Sequence, residues 1–383
     1  MTLGIYIQVP FCQTKCTYCN FRTDVVSPER FEPYADAVCC EIAETVGANA
    51  LVVDTVYFGG GTPSLLNPAA LGKIIDSIHR SYQPTSAENT LEADPETITP
   101  EKASAWLAAG FNRISLGAQS FSDIELQAAG RMHRRADIFR AAEILRTAGF
   151  DNISTDLIAG LAHQSHASWG DSITALLGIR PEHVSIYMLE IDEDSRLGRE
   201  SLAGGRRYSA AKIPPDDGIA EFYESACARL AAPGYEHYEI SNWALPGRRS
   251  RHNLKYWRRE PYLGFGAGAH SFDGTTRWAN IHDSARYVAC IEQGISPREQ
   301  VEPVTPEQAL EEEFFLGLRQ LEGVDLARIE SAYGEIQHER VADLRGRINC
   351  LRSQGLIELD GSRLRLAPDR LTISNEVFVE LLG

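Results

Sequence analysis

The sequence predicts an α/β fold: a parallel sheet rolled into a partial barrel of six strand and helix units, then an extension, then a small C-terminal unit of helices and a β-hairpin. Six short apolar runs rich in β-branched residues alternate with amphipathic helical stretches, the pattern of parallel strands joined by crossover helices. The unusual polar and glycine residues recur at the C-terminal ends of those runs, and in a parallel barrel these ends share one mouth. At 383 residues the chain has room for one large α/β unit and a smaller appendix.

The expected strands are Ile5 to Val9, Thr55 to Phe58, Thr90 to Ala93, Arg113 to Gly117, Ile153 to Ile158 and Val184 to Leu189. Between them fall helices over 31–46, 68–82 and 99–109, the last opened by Thr99-Pro100-Glu101 with proline at the first helical position. Periodicity alone separates a barrel from an open sheet poorly. The position of the polar residues tips the choice to a TIM-like (β/α)6 partial barrel over residues 1–200. The cysteines follow the first strand, Gly59-Gly60-Gly61-Thr62-Pro63 the second, Glu92 closes the third, Gln119 follows the fourth and Asp156 lies in the fifth.

Residues 201–300 form the expected extension, with a helix near 219–231 and an aromatic stretch from Tyr235 to Tyr262. A separate unit over 301–383 opens with the capping box Thr305-Pro306-Glu307-Gln308, followed by Leu310, Phe314, Leu318 and Leu321 at helical spacing. Strands Leu356 to Leu359 and Arg363 to Leu366 flank the turn Asp360-Gly361-Ser362, which gives the unit a winged-helix pattern.

Asp and Glu number 53 against 37 Lys and Arg, a formal charge of −16. Phosphate recognition needs a basic face, so nucleic acid is not an expected partner, and packing or protein contact is the favoured role of the winged unit. No apolar run reaches the roughly 18 residues of a spanning helix. Met1-Thr2-Leu3-Gly4 carries no charged leader. A cytoplasmic location is expected, with peripheral membrane contact left open.

Three of the eight cysteines fall within eight residues, as Cys12-Gln-Thr-Lys-Cys16-Thr-Tyr-Cys19. The other five are scattered, and Cys39, spaced helically with Phe31, Ala35, Val38, Ile42 and Val46, reads as a small buried hydrophobe. The C-x3-C-x2-C spacing offers three thiolates from one loop. That satisfies three irons of a four-iron cube and leaves the fourth open. A structural zinc site wants four protein ligands, and no fourth Cys or His stands nearby.

With these motifs the chain resembles a radical S-adenosylmethionine (SAM) protein, and within that superfamily the oxygen-independent coproporphyrinogen III oxidase family, most closely its HemW branch of haem chaperones. The resemblance runs along nearly the whole chain. It implies a [4Fe-4S] cluster on Cys12, Cys16 and Cys19, with SAM chelated to the open iron and an electron donor for the cluster. It also implies SAM contacts at Tyr6, at Gly60, Gly61 and Thr62, and at Glu92, Gln119, Arg131 and Asp156. Carboxylates and an amide suit ribose hydroxyls and an amino group, while Arg131 can pair with the methionine carboxylate. A residue without Cβ can approach a ligand closely. Two positions depart from the family pattern: Gln8 replaces a usual histidine and Ala162 a proline.

The family's oxidases carry a fourth cysteine two residues past the third, where this chain has Phe21, and a longer segment before the cluster than the 11 residues found here. Both features disfavour oxidative decarboxylation of coproporphyrinogen III to protoporphyrinogen IX, which stands as the alternative. Arg251-His252-Asn253-Leu254-Lys255-Tyr256-Trp257 instead matches the H-N-x-x-Y-W segment of the HemW branch, followed by Gly264-Phe-Gly-Ala-Gly-Ala-His270-Ser271. His252 and Tyr256 fall on one helical face. His252 is expected either to ligate haem or to hydrogen-bond while the aromatics pack the extension onto the barrel. The implied function is a chaperone that binds haem and delivers it to haem-acceptor proteins, with SAM cleavage left open.

Overall fold

The computed structural model describes residues 2–45 and 51–382. The six expected parallel strands form in sequence order: β1 Leu3–Val9, β2 Val52–Gly60, β3 Gln83–Ala93, β4 Arg113–Gln119, β5 Ile153–Ala159 and β6 His183–Met188. Their pairing is parallel throughout. Each crossover helix buries one apolar face on the sheet, as Phe31–Glu44 does with Tyr34, Ala35, Val38 and Ile42. Val46, expected at the end of that helix, lies outside the described residues. Helices Pro68–Ser81 and Pro100–Ala108 start at proline, capped by Asn67 and Thr99.

Strand β3 begins seven residues earlier than expected. Its polar first half pairs because its side chains find tertiary partners: Glu88 accepts from the backbone N–H groups of Arg251 (3.0 Å) and His252 (3.3 Å), and Asn89 donates to Gly110 O (2.9 Å). Such partners are invisible to local periodicity.

The extension adds six strands that the aromatic stretch did not announce: β7 Glu236–Glu239, β8 Asn242–Ala244, β9 Tyr262–Phe265, β10 His270–Phe272, β11 Thr276–Asn280 and β12 Arg298–Pro303. They are short, and they pair with distant partners. β8 lies antiparallel on β6 and β9 parallel on β1, giving one twelve-stranded sheet in the order β12-β11-β10-β9-β1-β2-β3-β4-β5-β6-β8-β7. The boundary placed at residue 200 therefore does not divide the sheet. The C-terminal unit keeps its own sheet, order β13-β15-β14, from β13 Val324–Asp325, β14 Ile357–Asp360 and β15 Arg363–Leu366.

With helices Pro306–Gly317, Leu326–Tyr333 and His338–Ser353, the C-terminal unit follows the chain order of a winged helix. The capping box at Thr305 and Gln308 forms. The first helix stops at Gly317, however, so Leu321 is not helical. Its N–H donates to Tyr238 O (3.1 Å), while Ile240 N–H donates to Arg319 O (3.0 Å), and these bonds tie the unit to the extension.

Along β1 the residues Ile5, Ile7 and Val9 are fully buried beneath helices, whereas Tyr6 and Gln8 alternate onto the lumen side. The core between sheet and helices is largely aliphatic, with Trp106, Trp169 and Trp243 buried within it. Trp169, 1% exposed, donates its indole N–H to Phe222 O (2.7 Å) and joins helix His166–Ile179 to helix Asp216–Ala231. Trp169→Ala should cost about 3–5 kcal/mol of stability, read as a lower urea midpoint with an unchanged far-UV spectrum below the transition.

Candidate cluster and cofactor site

The mouth is built where the β1–β2 ladder continues beyond both strands. Gly61 N–H donates to Val9 O (2.8 Å) and Thr62 N–H to Phe11 O (2.7 Å), so backbone alone positions the start of the cysteine loop. A Cβ on Gly61 would stand 2.5 Å from Phe11 O, closer than non-bonded atoms allow. Gly60 adopts φ +111°, a region glycine reaches without strain. The close approach expected toward a ligand is thus, at Gly61, an approach to the chain's own backbone.

Three further anchors fix the loop. Cys12 N–H donates to Asp24 O (3.0 Å), Thr17 N–H to Ala129 O (3.0 Å), and Leu197 N–H to Thr17 O (2.9 Å). Tyr18 packs on Ala129, Ile158 and Leu161. Cys12, Cys16 and Cys19 are free, partly buried thiols. Burial pushes Cys12 up to about 11 and raises Cys19 as well, so both must lose protons to ligate a metal. Among the described residues no three His, Cys, Asp or Glu side chains converge on a single ion. A four-iron cube takes its thiolates at separate corners, so three sulfurs spread along one pinned loop suit it.

Thr62 and Arg131 face this loop. The Thr62 hydroxyl lies 3.8 Å from Cys12 Sγ and 3.1 Å from Asp94 Oδ2; Arg131 Nη1 lies 3.6 Å from Cys16 Sγ. Arg131 was expected to await a carboxylate. Its Nη2 already pairs with Asp94 and donates to Gly117 O (2.9 Å), which makes it a strut between the loop, β4 and the segment after β3. Asp94 is the partner that sequence reasoning passed over, although it stands two residues beyond Glu92 and just before Pro95.

Deeper in the lumen, Glu92 accepts from Tyr57 OH (2.9 Å) and Gly60 N–H (3.2 Å). Burial, seconded by the nearby Asp156 charge, lifts it to about 7 despite those bonds. Burial likewise raises Asp156, which accepts from Ser115 (3.3 Å). Tyr6 stacks on Tyr57 with centroids 6.0 Å apart. Gln119 ends β4 at φ +64°, where the ladder to β5 shifts register. Tyr6, Glu92, Gln119 and Asp156 therefore belong to one polar lumen below the cysteine loop.

His252 packs beneath them, its ring stacked on Tyr57 (centroids 5.2 Å) and Tyr6 (6.2 Å), without a free ring nitrogen. Helix Arg251–Trp257 crosses the opposite end of the barrel, and its ring is 1% exposed. Nδ1 bonds Thr55 Oγ1 (2.9 Å) and Nε2 bonds Tyr256 OH (2.8 Å). Burial and the nearby Lys255 and Arg113 cations lower it to about 3. Thr55 lies about 16 Å along β2 from Gly60, so His252 hydrogen-bonds within the barrel floor, the second of its two expected roles. Lys255 beside it, 3% exposed, pairs with Asp54 (2.8 Å) and Glu260 (3.0 Å). His270 is the reverse case: its ring is exposed, and partial burial with His282 and Arg277 nearby lowers its pKa.

Comparison with known proteins agrees with this architecture. A model of the radical SAM superfamily matches residues 6–176, and one of the HemN C-terminal domain matches 304–369. The radical SAM domain implies SAM and a [4Fe-4S] cluster as cofactors. The heme chaperone HemW of Bacillus subtilis is 36% identical over 99% of this chain and 98% of its own length, and that of Mycobacterium tuberculosis 34% over 99% and 95%. The solved structure of Escherichia coli coproporphyrinogen III oxidase (HemN) covers 99% of this chain and 90% of that one with a TM-score of 0.86 at 22% identity, a shared fold. The chain belongs to the HemW family of radical SAM proteins.

Gly61→Ala should displace Phe11 and the loop behind it; iron and sulfide recovered after anaerobic reconstitution should fall several-fold while far-UV circular dichroism stays unchanged. Because the folded chain holds the Glu92 proton up to a pH of about 7 and the unfolded chain releases it near 4.5, stability should fall as pH rises through that window. In Glu92→Gln that fall should shrink by about 2 kcal/mol, allowing for partial exposure to the lumen, as read from urea midpoints at the two ends of the window.

Proposed function

We propose that the chain is a haem chaperone that carries haem to acceptor proteins and holds a SAM-coordinating [4Fe-4S] cluster. The observation that carries this reading is the likeness to curated haem chaperones over 99% of the chain, in which barrel, extension and C-terminal unit all take part. Phe21, 65% exposed two residues past Cys19, adds to it, since that position offers no fourth thiol. No helix among the described residues is long and apolar enough to cross a membrane. The free thiols fit a reducing cytoplasm.

A cluster held by Cys12, Cys16 and Cys19 would supply an open iron for SAM and an electron for its sulfonium, drawn from an external donor. Around it the chain's own groups bind and orient. Thr62 and Arg131 donate toward the sulfurs of Cys12 and Cys16. Glu92, fixed by Tyr57 and Gly60, presents a carboxyl that exchanges its proton near neutrality. Gln119, Asp156 and Tyr6 line the remaining lumen and suit the hydroxyls and amino group of SAM.

Anaerobic titration of the cluster-loaded protein with haem should give a saturable Soret shift, and its absence would sink the reading. Incubated with reductant, SAM and coproporphyrinogen III, the same protein should release no protoporphyrinogen IX. Steady turnover there would transfer the assignment to the oxidase.

A further inference from the structure

We propose that His270 and His282 form the axial-ligand site for haem iron, on the barrel side of the cysteine loop; this rests on the haem-chaperone reading. The sequence supplies ten histidines. The buried ones are all spoken for: both ring nitrogens of His133, His183 and His252 are hydrogen-bonded, and His237 faces Tyr223 and Ile240 O. His270 and His282 stand apart. Among the described residues no hydrogen bond engages either ring, although the two lie together with centroids 6.4 Å apart and planes at 59°.

Their place in the fold is defined by strand register. Tyr6 pairs with Gly264 across β1 and β9, and Tyr262 pairs with Phe272 across β9 and β10. His270 lies two residues before Phe272 on β10, so its side chain leaves the same sheet face as Tyr262 and, through the Tyr6–Gly264 pair, as Tyr6, the face that lines the lumen. His282 follows β11 and is received by the Gly266-Ala267-Gly268 turn. Gly268, at φ +75°, has no Cβ where one would come within 2.8 Å of His282 Nδ1. Two residues on, Ser284 donates to Asp24 Oδ2 (2.6 Å), and Asp24 O is the acceptor of Cys12 N–H. The imidazole pair is thus tied to the loop that carries the first cysteine.

The chemistry selects the ligand. A bare transition metal seeks about four protein donors, and the described residues offer no cluster of three around this pair. Haem iron brings four equatorial nitrogens of its own and asks the protein only for axial ligands, for which imidazole is a common choice. Two imidazoles on one metal at about 2.0–2.1 Å each would hold their centroids about 6 Å apart, against the 6.4 Å observed.

The test is an anaerobic haemin titration of the cluster-loaded protein, followed by EPR and resonance Raman spectroscopy, for the wild type, His270→Ala, His282→Ala and His252→Gln. The wild type should give a six-coordinate, low-spin ferric signal. Each alanine variant should pass to a five-coordinate, high-spin form with affinity weaker by about tenfold or more, and added imidazole should restore the low-spin signal. His252→Gln should bind as the wild type does. Equal iron and sulfide content across the set shows that folding is intact. Wild-type haem binding with an unchanged spectrum in both alanine variants, or a change confined to His252→Gln, overturns this assignment alone. No haem binding by the wild type overturns it together with the chaperone reading.

Discussion

The functional end of this molecule depends on a backbone ladder that does not stop where its strands do. Two hydrogen bonds past the end of β1 and β2, from Gly61 to Val9 and Thr62 to Phe11, carry the pairing into the cysteine loop. A loop held by side chains would sample many positions, whereas one held by a continued ladder inherits the rigidity of the sheet. The cost is chemical: only glycine fits at 61, because any Cβ meets the Phe11 carbonyl. The same threonine that completes the ladder turns its hydroxyl toward Cys12. Structure and ligand environment are set together at Gly61 and Thr62.

Beneath the loop the barrel interior is polar, and its two ends have separate tasks. Toward the mouth, Asp94 and Arg131 form a pair that spans two strand ends and reaches the Cys16 sulfur, while Glu92 and Asp156 keep raised pKa values because burial penalises their charge. Toward the floor, a seven-residue helix from the extension closes the barrel with His252, Lys255 and Tyr256. Its two first backbone N–H groups are capped by Glu88 from β3, so the lid and the polar half of β3 stabilise each other. The H-N-x-x-Y-W segment is in this light a closure device, with an imidazole neutral at every physiological pH.

Much of the fold was legible because it follows from local rules. Periodicity located six parallel strands, proline and threonine located helix starts, and a capping box at Thr305 located the C-terminal unit. What escaped was pairing over long distances. Strands β7 to β12 are three to six residues long, too short for a pattern, and they exist because β1 and β6 offer them edges. Leu321 left the helix that its spacing favoured for the same reason, since pairing with Tyr238 competes with another helical turn.

By itself the sequence determined the elements that local chemistry controls: which segments form strands and helices, that three thiols leave one loop, and that glycine must follow the second strand. Only the tertiary structure decided which donors are already occupied. Arg131 read as an available ligand in one dimension and His252 as either a ligand or a hydrogen-bonding residue, and each has a partner far along the chain, Asp94 and Thr55 respectively. His270 and His282 carried no signal as a pair until strand register brought their rings together. The physical reason is that hydrogen-bond capacity is spent in three dimensions, and a linear pattern records the donors of a side chain without recording what they meet.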